Sequence, residues 1–370
     1  MTDIALQRSA PNRRKIAATV GMLGVLALSL PVNWVFFAAN DDGLDGSSSF
    51  TEEWLRGGRT AEITRLYNER FALRDAGIDL YGTISYVLFG EGRDGVLVGE
   101  DGWLFTKEEF ESDKGSPERL SRNLGLVAEA RDRLAAQGIT LVTTIVPSKA
   151  RIYGDELGDY RWPSEPAGRY DRVVEALEGA GVPVVDLRPA LVETRNDSHV
   201  FLKTDTHWTP AGAKAAAGAI AQVVGALPDT GEAMDFQLVE GEAFDHSGDL
   251  LRYVRLGPLA DWIGPEPDRV VPVEAEGEAA GGLLGDAEIP VALVGTSYSA
   301  ESRWGFEASL KAALHRDVVN LAEMGKGPFE PMQAFLSGDI VKNAPPKVVI
   351  WELPERYLDD PQSVDFGGRS

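Results

Sequence analysis

The sequence predicts an α/β domain with a mostly parallel sheet, preceded by one transmembrane helix. Three observations carry that prediction. From residue 116 onward, short apolar runs alternate with amphipathic segments of helical length. The boundaries between them carry Ser, Thr, Pro and Gly where helix caps are expected. An uncharged apolar stretch at residues 16–39 stands between basic and acidic flanks.

The N-terminus comes first in chain order. Arg8, Arg13, Arg14 and Lys15 precede the run from Ile16 to Ala39, and Asp41, Asp42 and Asp45 follow it. A helix over residues 16–39 is long enough to cross roughly 30 Å of hydrocarbon. Positive charge before the span and negative charge after it set residues 1–15 in the cytoplasm and the rest of the chain outside it. A cleaved signal peptide is the alternative. Its apolar region is usually shorter, however, and bulky Phe36 and Phe37 stand where small residues are wanted. The reading is therefore an uncleaved single-pass signal anchor, a Gly/Ser/Asp linker at residues 40–50 and a catalytic domain at 51–370.

Within that domain, Glu52 to Leu73 has apolar residues at helical spacing, and Gly95 to Phe105 reads as a β-hairpin around Glu100-Asp101-Gly102. Ser116 is placed to cap a helix with Pro117 at its first position and Gly138 just past its end. The run Ile139 to Val146 then reads as a buried strand. Ser164 opens the next helix, which closes near Gly179 and Gly181 before the strand Val182 to Leu187. Thr209 and Pro210 open an alanine-rich helix to about Val224. An irregular acidic insertion occupies about 227–288. Alternation resumes with strand Val291 to Val294, a helix to about Leu314, strand Asp317 to Leu321, a helix from Glu330 to about Val341, and strand Val348 to Leu353. Sheets of this kind are covered on both faces and carry their chemistry at the carboxyl ends of the strands.

A hydrophobic content of 44% with 25% charged residues is that of an ordinary globular protein. The net charge of −22 argues against a nucleic-acid partner, because phosphate binding needs a basic face. The chain has no cysteine, which removes disulfides, thiolate catalysis and sulfur-ligated metals together.

Two segments are placed to carry chemistry. Gly295-Thr296-Ser297-Tyr298-Ser299 follows the apolar strand VALV and precedes a helix, so Ser297 sits on a strand-to-helix turn suited to a nucleophile. Asp205-Thr206-His207-Trp208 lies just before the helix opened by Thr209-Pro210. A serine hydroxyl needs an imidazole to take its proton and a carboxylate to fix that imidazole's tautomer. Ser297, His207 and Asp205 supply that set. Weaker candidates are Tyr298 and Arg303 for an acyl pocket, Trp103 and Trp208 for stacking on sugar rings, and Lys149 for an ion pair or substrate contact at a strand end. Gly248, in HSGDLL, is a candidate oxyanion amide. Each of these residue types is also common in cores or on surfaces.

The chain resembles the alginate O-acetyltransferase family (AlgX/AlgJ-like), whose domains have an SGNH-hydrolase-like three-layer fold. The resemblance is carried by NERFALRDAGIDLYG at 68–82, VLVGEDGWLF at 96–105, VPSKARIY at 146–153, TDTHWTPAGA at 204–213, GTSYS at 295–299 and WELPERYL at 351–358. It implies that Asp205, His207 and Ser297 are the family's catalytic residues. It also implies O-acetylation of an exopolysaccharide in the periplasm, with no cofactor, by a domain anchored in the inner membrane. The acyl donor partner it implies is an integral membrane O-acyltransferase. The chain stops soon after WELPERYL and is therefore expected to be without the carbohydrate-binding module that some members append.

Three rival functions stand beside this one. A metallophosphoesterase fails on ligand supply, because His199, His207, His246 and His315 are dispersed and no Asn-His pair occurs; no metal site is expected. An acetylesterase would use the same three residues, differing only in whether water or a sugar hydroxyl reaches the acyl-enzyme. A non-catalytic scaffold of a polysaccharide assembly complex would tolerate loss of Ser297.

Overall fold

The computed structural model describes residues 74–277 and 290–366, together with isolated helical positions at Gly24, Ala27 and Pro31. Among the described residues, no helix is long and apolar enough to cross a membrane. The expected span at 16–39, the linker at 40–50, the expected helix at 52–73 and the end of the acidic insertion lie outside the described residues, those isolated positions apart.

Five strands form the central sheet: β1 (Thr140–Val146), β2 (Val184–Asp186), β3 (Val291–Val294), β4 (Val318–Asn320) and β5 (Val348–Pro354). Their order is β4-β3-β5-β1-β2 and every pairing is parallel. The expected α/β architecture with a parallel sheet is what the chain adopts. From β1 the chain steps outward to β2, and from β3 it steps outward the other way to β4, so the direction reverses around β5. Such a switch point opens a crevice at the carboxyl ends of the strands.

The period-2 alternation of the strands divides the core. Val349, Trp351 and Leu353 of β5, Ala292 and Val294 of β3, and Leu141 and Ile145 of β1 join one buried cluster. The helices Ser116–Ala135, Arg169–Gly179 and Phe329–Ser337 contribute Val127, Leu134, Val173, Leu177, Met332 and Phe335 to it. Val348, Ile350, Val291 and Leu293 fall on the alternate positions, toward the face covered by the helices Pro210–Val224 and Phe306–Leu314, which pack on each other. Ala213, Ala216 and Ala217 are buried in that contact, where short side chains let the two helices approach closely.

Local differences from the sequence reading have physical causes. The helix at residue 116 starts from Gly115, because the Ser116 hydroxyl instead accepts from the Asp113 amide at 3.0 Å. The helix expected to run from Ser297 to Leu314 is broken by Glu301 in extended backbone and by Gly305 at φ 63°, giving Ser297–Ala300, Ser302–Trp304 and Phe306–Leu314. Residues 236–277, expected to be irregular, hold two antiparallel pairs: Phe236–Glu240 with Val273–Gly277, and Phe244–His246 with Asp268–Val270.

The described residues divide into two compact units, 99–251 with 267–277 and 290–366, and 74–98 with 252–266. In the second, the helix Arg74–Ile84 packs against residues 255–257. A Cβ on Gly82 would lie 2.0 Å from the Arg255 carbonyl oxygen, and the Asp79 carboxylate pairs with Arg255 at 3.4 Å. Every residue of the site described below belongs to the first unit.

Candidate active site

Ser297 stands at the carboxyl end of β3, where the strand turns directly into the short helix Ser297–Ala300. Thr296 caps that helix, its hydroxyl accepting from the Tyr298 amide at 3.4 Å. The turn is anchored from the neighbouring strand by Glu352 of β5, which is fully buried. Its carboxylate accepts from the Thr296 amide at 2.7 Å, the Thr296 hydroxyl at 3.1 Å and the Ser299 hydroxyl at 3.0 Å. Burial pushes the Glu352 carboxyl up against these lowering contacts. Only glycine fits before the cap, since a Cβ on Gly295 would meet a Glu352 oxygen at 2.5 Å.

The loop at 200–209 folds back on itself through a bridge between Phe201 and Trp208 and then enters the helix Pro210–Val224. The Thr209 hydroxyl caps that helix by accepting from the Gly212 amide at 3.1 Å. The loop is held from below by Lys149, just past β1, whose buried ammonium donates to the carbonyls of Leu202 at 2.6 Å, Lys203 at 3.0 Å and Asp205 at 2.9 Å. Burial pushes this ammonium down to about 8, opposed by Glu109, Asp268, Asp205 and Asp249. Two reciprocal bonds tie the loop to the serine turn: the Tyr298 hydroxyl donates to the Thr206 carbonyl at 2.6 Å, and the Trp208 indole donates to the Tyr298 carbonyl at 3.1 Å.

This scaffold brings Asp205, His207 and Ser297 together. His207 Nε2 lies 2.7 Å from Ser297 Oγ, and His207 Nδ1 lies 2.6 Å from Asp205 Oδ1. The same carboxylate oxygen accepts from the His207 amide at 3.0 Å, which locks the imidazole to the backbone two residues from its partner. Asp205 is buried, and desolvation alone would push its carboxyl up. Hydrogen bonds from His207 and His246 outweigh that and hold it far below the usual carboxylate range. With Asp205 ionised, the proton of His207 belongs on Nδ1 and the Nε2 lone pair faces the hydroxyl, the geometry in which an imidazole takes a proton from an attacking serine.

A model for an SGNH hydrolase-like domain, acetyltransferase AlgX, matches residues 96–355. The chain belongs to this family. It is 40% identical over 327 residues to a protein of Pseudomonas syringae pv. tomato named "Probable alginate O-acetylase AlgJ", covering 87% of this chain and 83% of that one. It is 38% identical over 320 residues to the protein of the same name from Azotobacter vinelandii, covering 84% of this chain and 81% of that one. Among solved structures it resembles the O-acetyltransferase domain of Pseudomonas putida AlgJ, with a TM-score of 0.67 and 39% identity over 74% of this chain and 95% of that chain.

Five of the weaker sequence candidates have other roles. Lys149 faces three carbonyls and is 1% exposed, so it supports the loop instead of meeting substrate or forming an ion pair at a rim. Trp208 is fully buried with its indole nitrogen committed to Tyr298, and so offers no face to a sugar ring. Tyr298 is buried, its hydroxyl held between the Thr206 carbonyl and the Arg356 guanidinium, which makes it a strut and not a pocket wall. Burial pushes its phenol up, although Arg356 beside it pulls the other way. The Gly248 amide donates to the Thr204 hydroxyl at 3.1 Å, so it is not directed at an oxyanion. A Cβ there would lie 2.1 Å from the Thr204 carbonyl oxygen, and this close approach accounts for the glycine. Trp103 is likewise core, stacked on Tyr153 at 3.9 Å. Arg303 is half-exposed; it faces His246 Nδ1 and lies over the Trp304 ring.

Residues that the sequence reading missed surround the carboxylate. Asp205 Oδ2 lies 2.8 Å from His246 Nε2 and accepts from the Asp249 amide at 3.0 Å. The Asp249 carboxylate accepts from the Thr206 amide at 2.9 Å and hydroxyl at 2.8 Å. Asp205, His207 and Asp249 have ligand atoms within 4.8 Å of one another, a spacing compatible with a cation. Their chemistry does not fit one: the four carboxylate oxygens accept from protein donors, and His207 Nδ1 is turned to Asp205 as a donor.

Proposed function

We propose that this chain is an O-acetyltransferase of Ser-His-Asp type that acetylates an exported polysaccharide, with alginate the first polymer to test. The observation that carries the reading is the 2.7 Å contact between His207 Nε2 and Ser297 Oγ, backed by the 2.6 Å contact to Asp205. In the reaction, His207 takes the Ser297 proton as Oγ attacks the acetyl carbonyl. The tetrahedral intermediate expels the donor's oxygen or sulfur, which leaves with that proton. A sugar hydroxyl, deprotonated by His207, then attacks acetyl-Ser297 and regenerates the serine. Asp205 holds the imidazole in one tautomer and stabilises its protonated form. Membership in the acetyltransferase family and the names of the relatives support acetyl as the group transferred.

The same proposal places the domain outside the cytoplasm. An anchor at 16–39 would keep Ser297 beside the membrane, next to an integral O-acyltransferase supplying acetyl from the other side. The test is acyl release from p-nitrophenyl acetate by the purified chain, followed by addition of alginate oligosaccharide. Wild type should acetylate the peptide bearing Ser297 and pass the group to the oligosaccharide, and Ser297→Ala should do neither. Release to water that no acceptor competes with would instead mark an esterase, and a folded, equally active Ser297→Ala would overturn the nucleophile.

A further inference from the structure

His246 occupies the far side of Asp205. Its Nε2 lies 2.8 Å from Oδ2, and its Nδ1 lies 3.4 Å from Arg303 Nη1. A guanidinium has only donors, so the ring atom facing it carries the lone pair and the single imidazole proton sits on Nε2, toward Asp205. Arg303 is itself held by Glu301, whose carboxylate accepts from Nη2 at 2.6 Å. The ring packs edge-on to the buried indole of Trp304 with centroids 5.3 Å apart, and the other side of the network uses the same indole, which stacks on His207 at 5.7 Å. A continuous line of contacts therefore runs Glu301, Arg303, His246, Asp205, His207, Ser297.

The other charges around His246 are engaged elsewhere. Asp249 turns its carboxylate to Thr206. Asp268, opposite His246 in the strand pair, accepts from the amides of Lys203 at 2.6 Å and Thr204 at 2.9 Å and from the Thr204 hydroxyl at 2.6 Å. Lys149 points its ammonium at carbonyls.

We propose that His246 is a positioning residue for acyl transfer, and that Arg303 fixes the His246 tautomer whose Nε2–H orients Asp205 toward His207. The inference rests on the reading of Ser297 as nucleophile. With its proton on Nε2, His246 fixes the rotation of the Asp205 carboxylate. The guanidinium beside Nδ1, which can only donate, selects that tautomer.

The experiment measures kcat and KM for acyl release against pH in the full chain, comparing wild type, His246→Ala, His246→Gln, Arg303→Met, Arg303→Met with His246→Gln, and Ser297→Ala. His246→Ala is expected to lower kcat by about tenfold or more through misorientation, with KM little changed. His246→Gln recovers most of kcat, since its amide can donate to Oδ2. Arg303→Met lowers kcat severalfold, because the His246 ring can then turn a lone pair toward Oδ2, and combining it with His246→Gln returns kcat to the level of His246→Gln alone.

The proposal is overturned if His246→Ala keeps kcat within twofold, if Gln restores nothing, or if Arg303→Met keeps the kcat of wild type. Should His246→Ala fail to fold, Arg303→Met and its double variant decide the matter, because the Arg303 side chain is 44% exposed. An active Ser297→Ala would bring down the nucleophile reading and this proposal together. An inactive Ser297→Ala beside unaffected His246 and Arg303 variants would remove this proposal alone.

Discussion

His207 and His246 grip the two oxygens of one carboxylate, at 2.6 and 2.8 Å, and differ in what the other ring nitrogen meets. For His207 it is a hydroxyl, a group that gives up a proton; for His246 it is a guanidinium, which never accepts one. Two chemically identical side chains, both nearly buried and both packed on Trp304, are thereby set up for opposite tasks. One is arranged to change protonation during a reaction and the other to keep its state. The difference teaches that the third atom in each line, and not the contact to Asp205, decides what a histidine does there.

The most severe way to break this comparison is to remove what the two sides share. Asp205→Asn should lower acyl transfer by roughly 10⁴-fold, the scale seen when the carboxylate of a serine triad becomes an amide and the imidazole tautomer is lost. An amide must also turn an N–H toward one of the donors that now converge on Oδ1 and Oδ2. Kinetics with an ester substrate reads the loss, and circular dichroism checks that the fold persists. Asp205 also leaves a thermodynamic trace. Its folded carboxyl is held below the ordinary value of 3.8, so it contributes stability that is fully present above that pH and is lost as pH falls below it. The stability gap between wild type and Asp205→Ala, measured by urea unfolding, should therefore hold from neutral pH down to about pH 4 and narrow as pH falls further.

A less severe break is Lys149→Met, which withdraws the support under the Asp205 loop without touching either imidazole. Three carbonyls, those of Leu202 and Asp205 buried and that of Lys203 partly so, lose their common donor, at a cost of roughly 1–3 kcal/mol for each group left unsatisfied and unreached by water. The unfolding midpoint should drop, and kcat should fall because Asp205 and both histidines move together. A variant as stable as wild type would mean that the loop is held by the Tyr298 and Trp208 ties alone.

The two sides are also unequally legible in the amino-acid sequence. Asp205 and His207 stand two apart ahead of a capped helix, and Ser297 follows an apolar strand, so short-range pattern is enough to find them. His246 is 41 residues from Asp205, on a three-residue strand too short to show alternation, and only the pairing with Asp268–Val270 brings it in. The parallel sheet is readable for the same reason as the serine turn, since β1, β3 and β5 are predominantly apolar runs. Glu352 does leave a signal: an acid inside the run VVIWELP is anomalous in a buried strand and calls for a set of donors, which the Thr296 turn supplies.

The smallest expected effect sharpens the comparison at its outer end. Glu301→Gln keeps an oxygen that can accept from Arg303 but removes the charge, at a pair where Arg303 is half-exposed and solvent screens the attraction. Surface pairs of this kind are worth about 0–1 kcal/mol, so stability should hardly move and kcat should change by less than about threefold. If the geometry of Arg303, and not the ion pair, is what holds the His246 tautomer, kcat should stay within that range. A loss as large as that of Arg303→Met would show that Arg303 needs the carboxylate to stay against His246. The guarded side of Asp205 would then extend one residue further toward solvent than the reactive side does.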